Sequence, residues 1–170
     1  MLHNQSKIWL AARTQRNQER AIKVKLEQIG IEHFIPFRKE LRKRKDRCVE
    51  LLVPVIPNVV FIYTDYHTGL SIVNEYGVKI SYMRAIDGKG PLIVPEKQLE
   101  DFRFICENNI KYTLTDTLVK GDRVTVVNGC MAGLEGELIA GNRNNGRMII
   151  RLDGIASFEL AISINCLKKL

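Results

Sequence analysis

The chain has 170 residues, 45% of them hydrophobic, and a formal net charge of +7. That balance fits one ordinary domain or two small ones with a real core, and excludes a disordered chain. No apolar run is long enough to span a bilayer, and the N-terminal MLHNQSKIWLAART lacks the long apolar segment of a secretory signal, so a cytoplasmic protein is expected.

Cys48, Cys106, Cys130 and Cys166 are scattered without a C-x-x-C pair, and His3, His33 and His67 do not cluster with them. Zinc needs ligands at short fixed spacings, so no metal site is expected, and the thiols should be reduced. The charge is unevenly placed. Residues 7–47 hold 13 Lys/Arg against 5 Asp/Glu, which exceeds the net charge of the whole chain. Such a concentration suggests a surface that meets a polyanion, although a solvated helix followed by a charged loop would look the same.

In chain order, KIWLAART (7–14) reads as an opening strand. NQERAIKVKLEQIG follows as an amphipathic helix with Ile22, Leu26 and Ile29 on one stripe and Gly30 placed to end it. Arg16, Arg20 and Lys23 repeat that spacing on a second, basic stripe. IEHFIPF is a second strand. The run 38–47, with seven basic side chains, then reads as the tip of a long hairpin leading into an apolar strand over 51–64. Pro54 and Pro57 cannot donate to a ladder and should lie at an edge or bulge. Within that strand Val59, Phe61 and Tyr63 alternate with Asn58, Val60 and Ile62, so both faces are apolar and each requires a cover.

YHTGLSIVNEYG reads as a short helix ended by Gly77, VKISYMRAI as a strand, and IDGKGPLIVPE as a turn. PEKQLEDFRFICEN is a further helix with Leu99, Phe102 and Cys106 on one face. These elements make an α+β unit, a mainly antiparallel sheet flanked by helices, over 1–108. The polar stretch 109–117 reads as a linker. Over 118–170, about five short strands separated by Gly and Asn, with NNG at 144–146 as a hairpin signal, suggest a small all-β barrel.

The second unit opens KGDRVTVVNGCMAGLEGELIA. Val124 and Val126 should face inward, and Gly129, Gly133 and Gly136 should serve a tight turn and close backbone packing. This segment resembles the KOW motif of bacterial transcription factors and ribosomal proteins, which sits in an SH3-like barrel. Preceded by an α+β unit with Trp9 in its opening strand, Arg20 and Ala21 in its first helix, and PNVVFIY at 57–63, nearly the whole chain resembles the NusG family, an NGN domain followed by a KOW domain. Where that family usually has Gly-Tyr this chain has Asn58-Val59, and Arg13 stands at a position that is aromatic in RfaH. These departures bring it nearer the specialised paralogues of RfaH and UpxY type, in particular the UpxY-type antiterminators of capsular polysaccharide operons.

The resemblance implies a cytoplasmic transcription elongation and antitermination factor without catalytic residues, cofactor, membrane or small-molecule substrate. By position, Ile56, Pro57, Val59 and Phe61 would dock on the clamp helices of the largest RNA polymerase subunit. The residue-level alternative is that Val60 and Ile62 fill the core while Val59 and Phe61 face a neighbouring loop. Arg13, Arg16, Arg20 and Lys23 would meet non-template DNA, and Arg42, Lys43, Arg44 and Lys45 would reach nucleic acid from the basic tip. Met131 and Leu134 would contact a ribosomal protein or Rho, or else cap the barrel. A housekeeping NusG-type factor and a KOW-containing RNA-binding or ribosome-associated protein are the competing readings. No nucleophile–His–acid set, P-loop or paired carboxylates are visible, so chemistry is not expected.

Overall fold

A computed structural model describes residues 6–115, 121–141 and 144–170. Contacts divide the chain between Glu96 and Lys97, and each unit is taken by itself.

The first unit is built on β1 (Ile8–Thr14), α1 (Glu19–Gln28), β2 (Glu32–Phe34), β3 (Phe37–Arg44), β4 (Arg47–Pro54), β5 (Val59–Thr64), α2 (Tyr66–Asn74), β6 (Ile80–Tyr82) and β7 (Ile93–Val94). Its main sheet runs β2-β5-β1-β6 with β7 also on β1, and every pairing is antiparallel. The register sets Ala12 opposite Val60 and Leu10 opposite Ile62 on one face, and Ala11 opposite Phe61 on the other. Alanines at the centre of β1 leave room for the larger side chains of β5. Ala12, Val60 and Ile62 join Ile22 and Leu26 of α1 and Ile72 of α2 in one core cluster, so both helices cover that face. Asp65 caps α2, accepting from the Thr68 backbone N–H at 2.9 Å and its hydroxyl at 2.7 Å, which holds the Asp65 carboxyl below its usual range.

Three expectations shift. The strand expected over 51–64 is two strands, β4 and β5, broken across 55–58 where Pro57 removes a donor and Asn58 takes a left-handed φ of 62°. The basic run is not loop: all but its two-residue turn is strand, and β3 pairs with β4 as a separate two-stranded ribbon. Alternation makes this possible, because Phe37, Leu41, Val49, Leu51 and Val53 are spaced through the charges. Finally, α1 starts at Glu19, so Arg16 lies in the preceding turn and only Arg20 and Lys23 of the expected ridge are helical. Asn17, left-handed at φ 61°, separates them.

The second unit contains most of α3 (Glu96–Glu107), then β8 (Thr113–Leu114), β9 (Asp122–Val126), β10 (Glu135–Gly141), β11 (Asn145–Leu152), β12 (Ala156–Ser163), a 3-10 turn (Ile164–Cys166) and β13 (Leu167–Lys169). The strands form one antiparallel sheet in the order β13-β9-β10-β11-β12-β8. The expected linker thus contains β8, paired to β12, while residues 116–117 of it lie outside the described residues. Val124 and Val126 point into a core with Leu134, Met148, Ile150 and Leu160. The glycines act in the two ways expected. Gly129 and Gly133 have φ of 87° and 94°, and a Cβ on Gly136 would lie 2.5 Å from the Ile149 carbonyl oxygen.

Helix α3 lies against this sheet, so the division falls at its start, between Glu96 and Lys97, and not after it at 108 as expected. Ile105 enters the sheet's core, and Phe102 stacks on Phe158 with centroids 4.6 Å apart. The buried face uses Ile105 rather than the expected Cys106, which is half-buried with its thiol pushed up to about 12 by desolvation. Lys97 bonds Asp101 at 2.6 Å and the Gly133 carbonyl at 2.8 Å, and Gln98 exchanges two hydrogen bonds with Asp153. Asp101 also accepts from the Glu135 N–H; its carboxyl is raised by desolvation, which Lys97 opposes.

Candidate functional site

The candidate site is organised by the bend before β5. Pro57 is exposed and Ile56 half-buried in that bend. Asn58 accepts the positive φ that most side chains avoid, as a glycine would. Its backbone N–H donates to Glu19 Oε1 at 2.9 Å, and its carbonyl accepts from the Thr14 N–H at 3.0 Å. Glu19 is buried, in the first turn of α1, where a carboxylate also complements the helix dipole. One carboxylate therefore fixes the start of α1 to the start of β5, and through Thr14 to the end of β1.

Beyond that clasp, pairing with β1 and β2 sets the register in which β5 presents its second face. Tyr63 lies opposite Trp9, Phe61 opposite Ala11 and Val59 opposite Arg13, and β2 adds Phe34 beside Phe61. Trp9 and Tyr63 meet with centroids 5.1 Å apart, and Phe34 stacks on Phe61 at 6.0 Å. Of the four residues expected to dock, Val59 and Phe61 are on this face; Ile56 and Pro57 lie at its rim, in the bend. Val59 and Phe61 are buried, at 2% and 0% exposure. Val60 and Ile62 do fill the core, as the competing reading held. Trp9, Tyr63 and Phe34 complete an aromatic set, and strand alternation together with the opening-strand tryptophan was the signal for it.

The basic residues fall into two groups. Arg13, Arg16, Arg20 and Lys23 are exposed around the β1–α1 turn. Arg20 donates to the Leu52 carbonyl at 3.0 Å, which ties α1 to the ribbon, and Lys23 pairs with Glu27 at 3.6 Å. Arg42, Lys43, Arg44 and Lys45 are exposed at the outer end of the ribbon, with Arg42 at 3.3 Å from Glu40. In the second unit Leu134 is buried in the sheet's core and Met131 is half-buried against it. Among the described residues no group of three or more His, Cys, Asp or Glu could hold a metal, and no helix is long and apolar enough to cross a membrane.

A groove of about 420 Å³ in the first unit is lined by Leu10, Tyr66, Leu70, Tyr82, Arg84 and Lys89, among others. Burial pushes the Tyr82 hydroxyl up to about 12, and it donates to the Gly69 carbonyl at 2.8 Å. The groove has no arrangement of nucleophile, base and acid.

Residues 7–103 match the family model described as "Transcription termination factor nusG". Among solved structures, one on domain interaction in Thermotoga maritima NusG is similar over 97% of this chain and 98% of that one, at 17% identity and a TM-score of 0.48. A MjSpt4:Spt5 complex structure is similar over 96% and 97%, at 12% identity and a TM-score of 0.29. No curated protein matches. The family match spans more than half of the chain and takes in the aromatic sheet face, the Asn58 bend and the β1–α1 turn, and the chain belongs to the NusG family.

Proposed function

We propose that this transcription elongation factor is an operon-specific antiterminator of the RfaH and UpxY type, with capsular polysaccharide biosynthesis loci as its kind of target. It binds elongating RNA polymerase through the clamp helices of the largest subunit and raises processivity by binding alone, without catalysis or cofactor. Residues 1–108 act as the NGN domain and 118–170 as a KOW domain that meets a ribosomal protein or Rho. The observation that supports the reading is that β5, with Phe61 and Tyr63 on its aromatic face, begins at the bend that Glu19 bonds to the arginine-bearing start of α1. Polymerase would take the aromatic face and non-template DNA the arginines, because an interface anchor is typically aromatic and an arginine fork suits phosphates and unpaired bases. Val59 and Phe61 are buried, so docking through them calls for that face to open, with Pro57 and Ile56 as the accessible rim.

The test is co-purification with RNA polymerase. Ile56→Asp and Phe61→Leu should each lower it about tenfold, as loss of an interface anchor does, with thermal melts to verify folding. Unchanged co-purification by both variants would remove the docking assignment. Arg16→Ala with Arg20→Ala should lower recruitment to one leader sequence far more than to others. Equal loss on every template would favour the housekeeping reading, and rRNA binding without polymerase would favour the ribosome-associated one.

A further inference from the structure

The β3–β4 ribbon is unlike the rest of its unit. It pairs with no other strand, and every residue from Leu41 to Cys48 is exposed. Leu41 at 76% exposure shows how little covers it. An isolated two-stranded hairpin is marginal in water, so a ribbon whose outer part, from Leu41 to Cys48, is exposed on both faces needs a reason outside the packing.

Its charges are sorted. The register places Arg38, Arg42, Arg44 and Arg47 on one face, with Glu40, and Lys39 and Lys43 on the other, with Glu50. Glu40 lies between Arg38 and Arg42, at 2.8 Å and 3.3 Å, and holds the two guanidinium groups along the strand. At the tip Arg44 and Arg47 are directly opposed across the strands. Like charges in that position repel, and neither has an ion pair among the described residues. The turn between them uses Lys45 at φ 37°, where Gly or Asn would be unstrained. Backbone strain and charge repulsion thus coincide at one point, and an anion between Arg44 and Arg47 relieves the second.

We infer that this ribbon is a grip for duplex DNA, entering the major groove with its arginine face toward the bases and phosphates. The inference rests on the nucleic-acid reading above and names the form of nucleic acid and the face that meets it. The major groove of B-form DNA, about 12 Å wide, admits a two-stranded ribbon. An eight-residue strand is roughly 26 Å long at about 3.3 Å per residue, enough to cross it. The deep, narrow major groove of an RNA duplex does not admit such a ribbon. Single strands are held by stacking on aromatic rings, and between Arg38 and Pro54 the ribbon has none.

The test uses the full chain and two matched double variants. Arg42→Gln with Arg44→Gln removes one ion-paired and one unpaired basic group from the arginine face. Lys39→Gln with Lys43→Gln does the same on the other face, since Lys39 pairs with Glu50 at 2.7 Å. Both lower the charge equally. By fluorescence anisotropy on a short mixed-sequence DNA duplex, the arginine pair should lose on the order of 50-fold in affinity at about 0.1 M salt, and its log–log salt slope should fall by about 2. The lysine pair should lose far less. Equal losses from the two pairs would overturn the inference, as would equal binding to an RNA duplex or single strand of the same sequence. Binding to phosphatidylserine vesicles with the same arginine dependence would assign the ribbon to a membrane surface and overturn it as well. If duplex binding shows the arginine dependence but the wild-type chain captures no polymerase, the functional proposal falls and the ribbon stands. If polymerase is captured but duplex binding ignores the arginines, the ribbon falls alone.

Discussion

Glu19 gives the sharpest test of how the site is held. In Glu19→Ala the Asn58 N–H loses its 2.9 Å acceptor in a half-buried position, and α1 loses the only carboxylate of its first turn. An unsatisfied buried donor costs about 1–2 kcal/mol, and the dipole contribution adds about 0.3–1 kcal/mol. Trp9 is the sole tryptophan and sits in β1, so its fluorescence in a urea titration reports the first unit directly. With a slope of about 1 kcal/mol per M for a unit of this size, the midpoint should fall by about 1–3 M. Glu19→Gln keeps an acceptor oxygen and should lose less than half as much. Asn58→Gly, which keeps the backbone bond and suits the φ of 62°, should stay near wild type, whereas Asn58→Val should cost about 1–2 kcal/mol. If Glu19→Ala stays within about 0.5 kcal/mol of wild type, or if Gln is as damaging as Ala, the clasp does not organise the bend.

Gly136→Ala should destabilise the second unit by about 1–3 kcal/mol, because the new methyl meets the Ile149 backbone oxygen rather than a movable side chain. Hydrogen exchange across β10 and β11 would show it, and unchanged protection would mean that the strands separate at no cost. Tyr82 has a folded value pushed up to about 12, so the stability of its neutral form is complete below pH 10 and is lost as pH rises through 12. In an alkaline titration followed by phenolate absorbance, Tyr82→Phe should remove a component that ionises near pH 12.

Much of the local structure was legible because it depends on near neighbours. The spacing of Ile22 and Leu26, the left-handed Gly30 and Gly77, and the alternation along β5 all match what was read. The basic run does lie in a hairpin, as expected, but its strands continue through the charges to a two-residue turn at 45–46, because dense charge does not by itself end a strand. Leu41 is its one apolar residue; the alternating Val49, Leu51 and Val53 stand in the partner strand, and only that pairing shows which of its charges share a face. The aromatic face was half legible: alternation grouped Val59, Phe61 and Tyr63, but nothing local connects them to Phe34. The Glu19–Asn58 bond was not legible at all, since a glutamate in a first helical turn ordinarily reads as a solvated dipole partner.

By itself, then, the sequence determined the glycine positions, the helix stripes, the excess of positive charge before residue 48, and a β5 strand that must be covered on both sides. Each follows from backbone conformation or from a short repeat. Only the tertiary structure decided which strand lies beside which, that α3 meets the sheet of the second unit, and that four arginines stand together on one side of a free ribbon. Those outcomes depend on pairings between distant residues, where a register shift of a single residue would have turned every side chain to the opposite face.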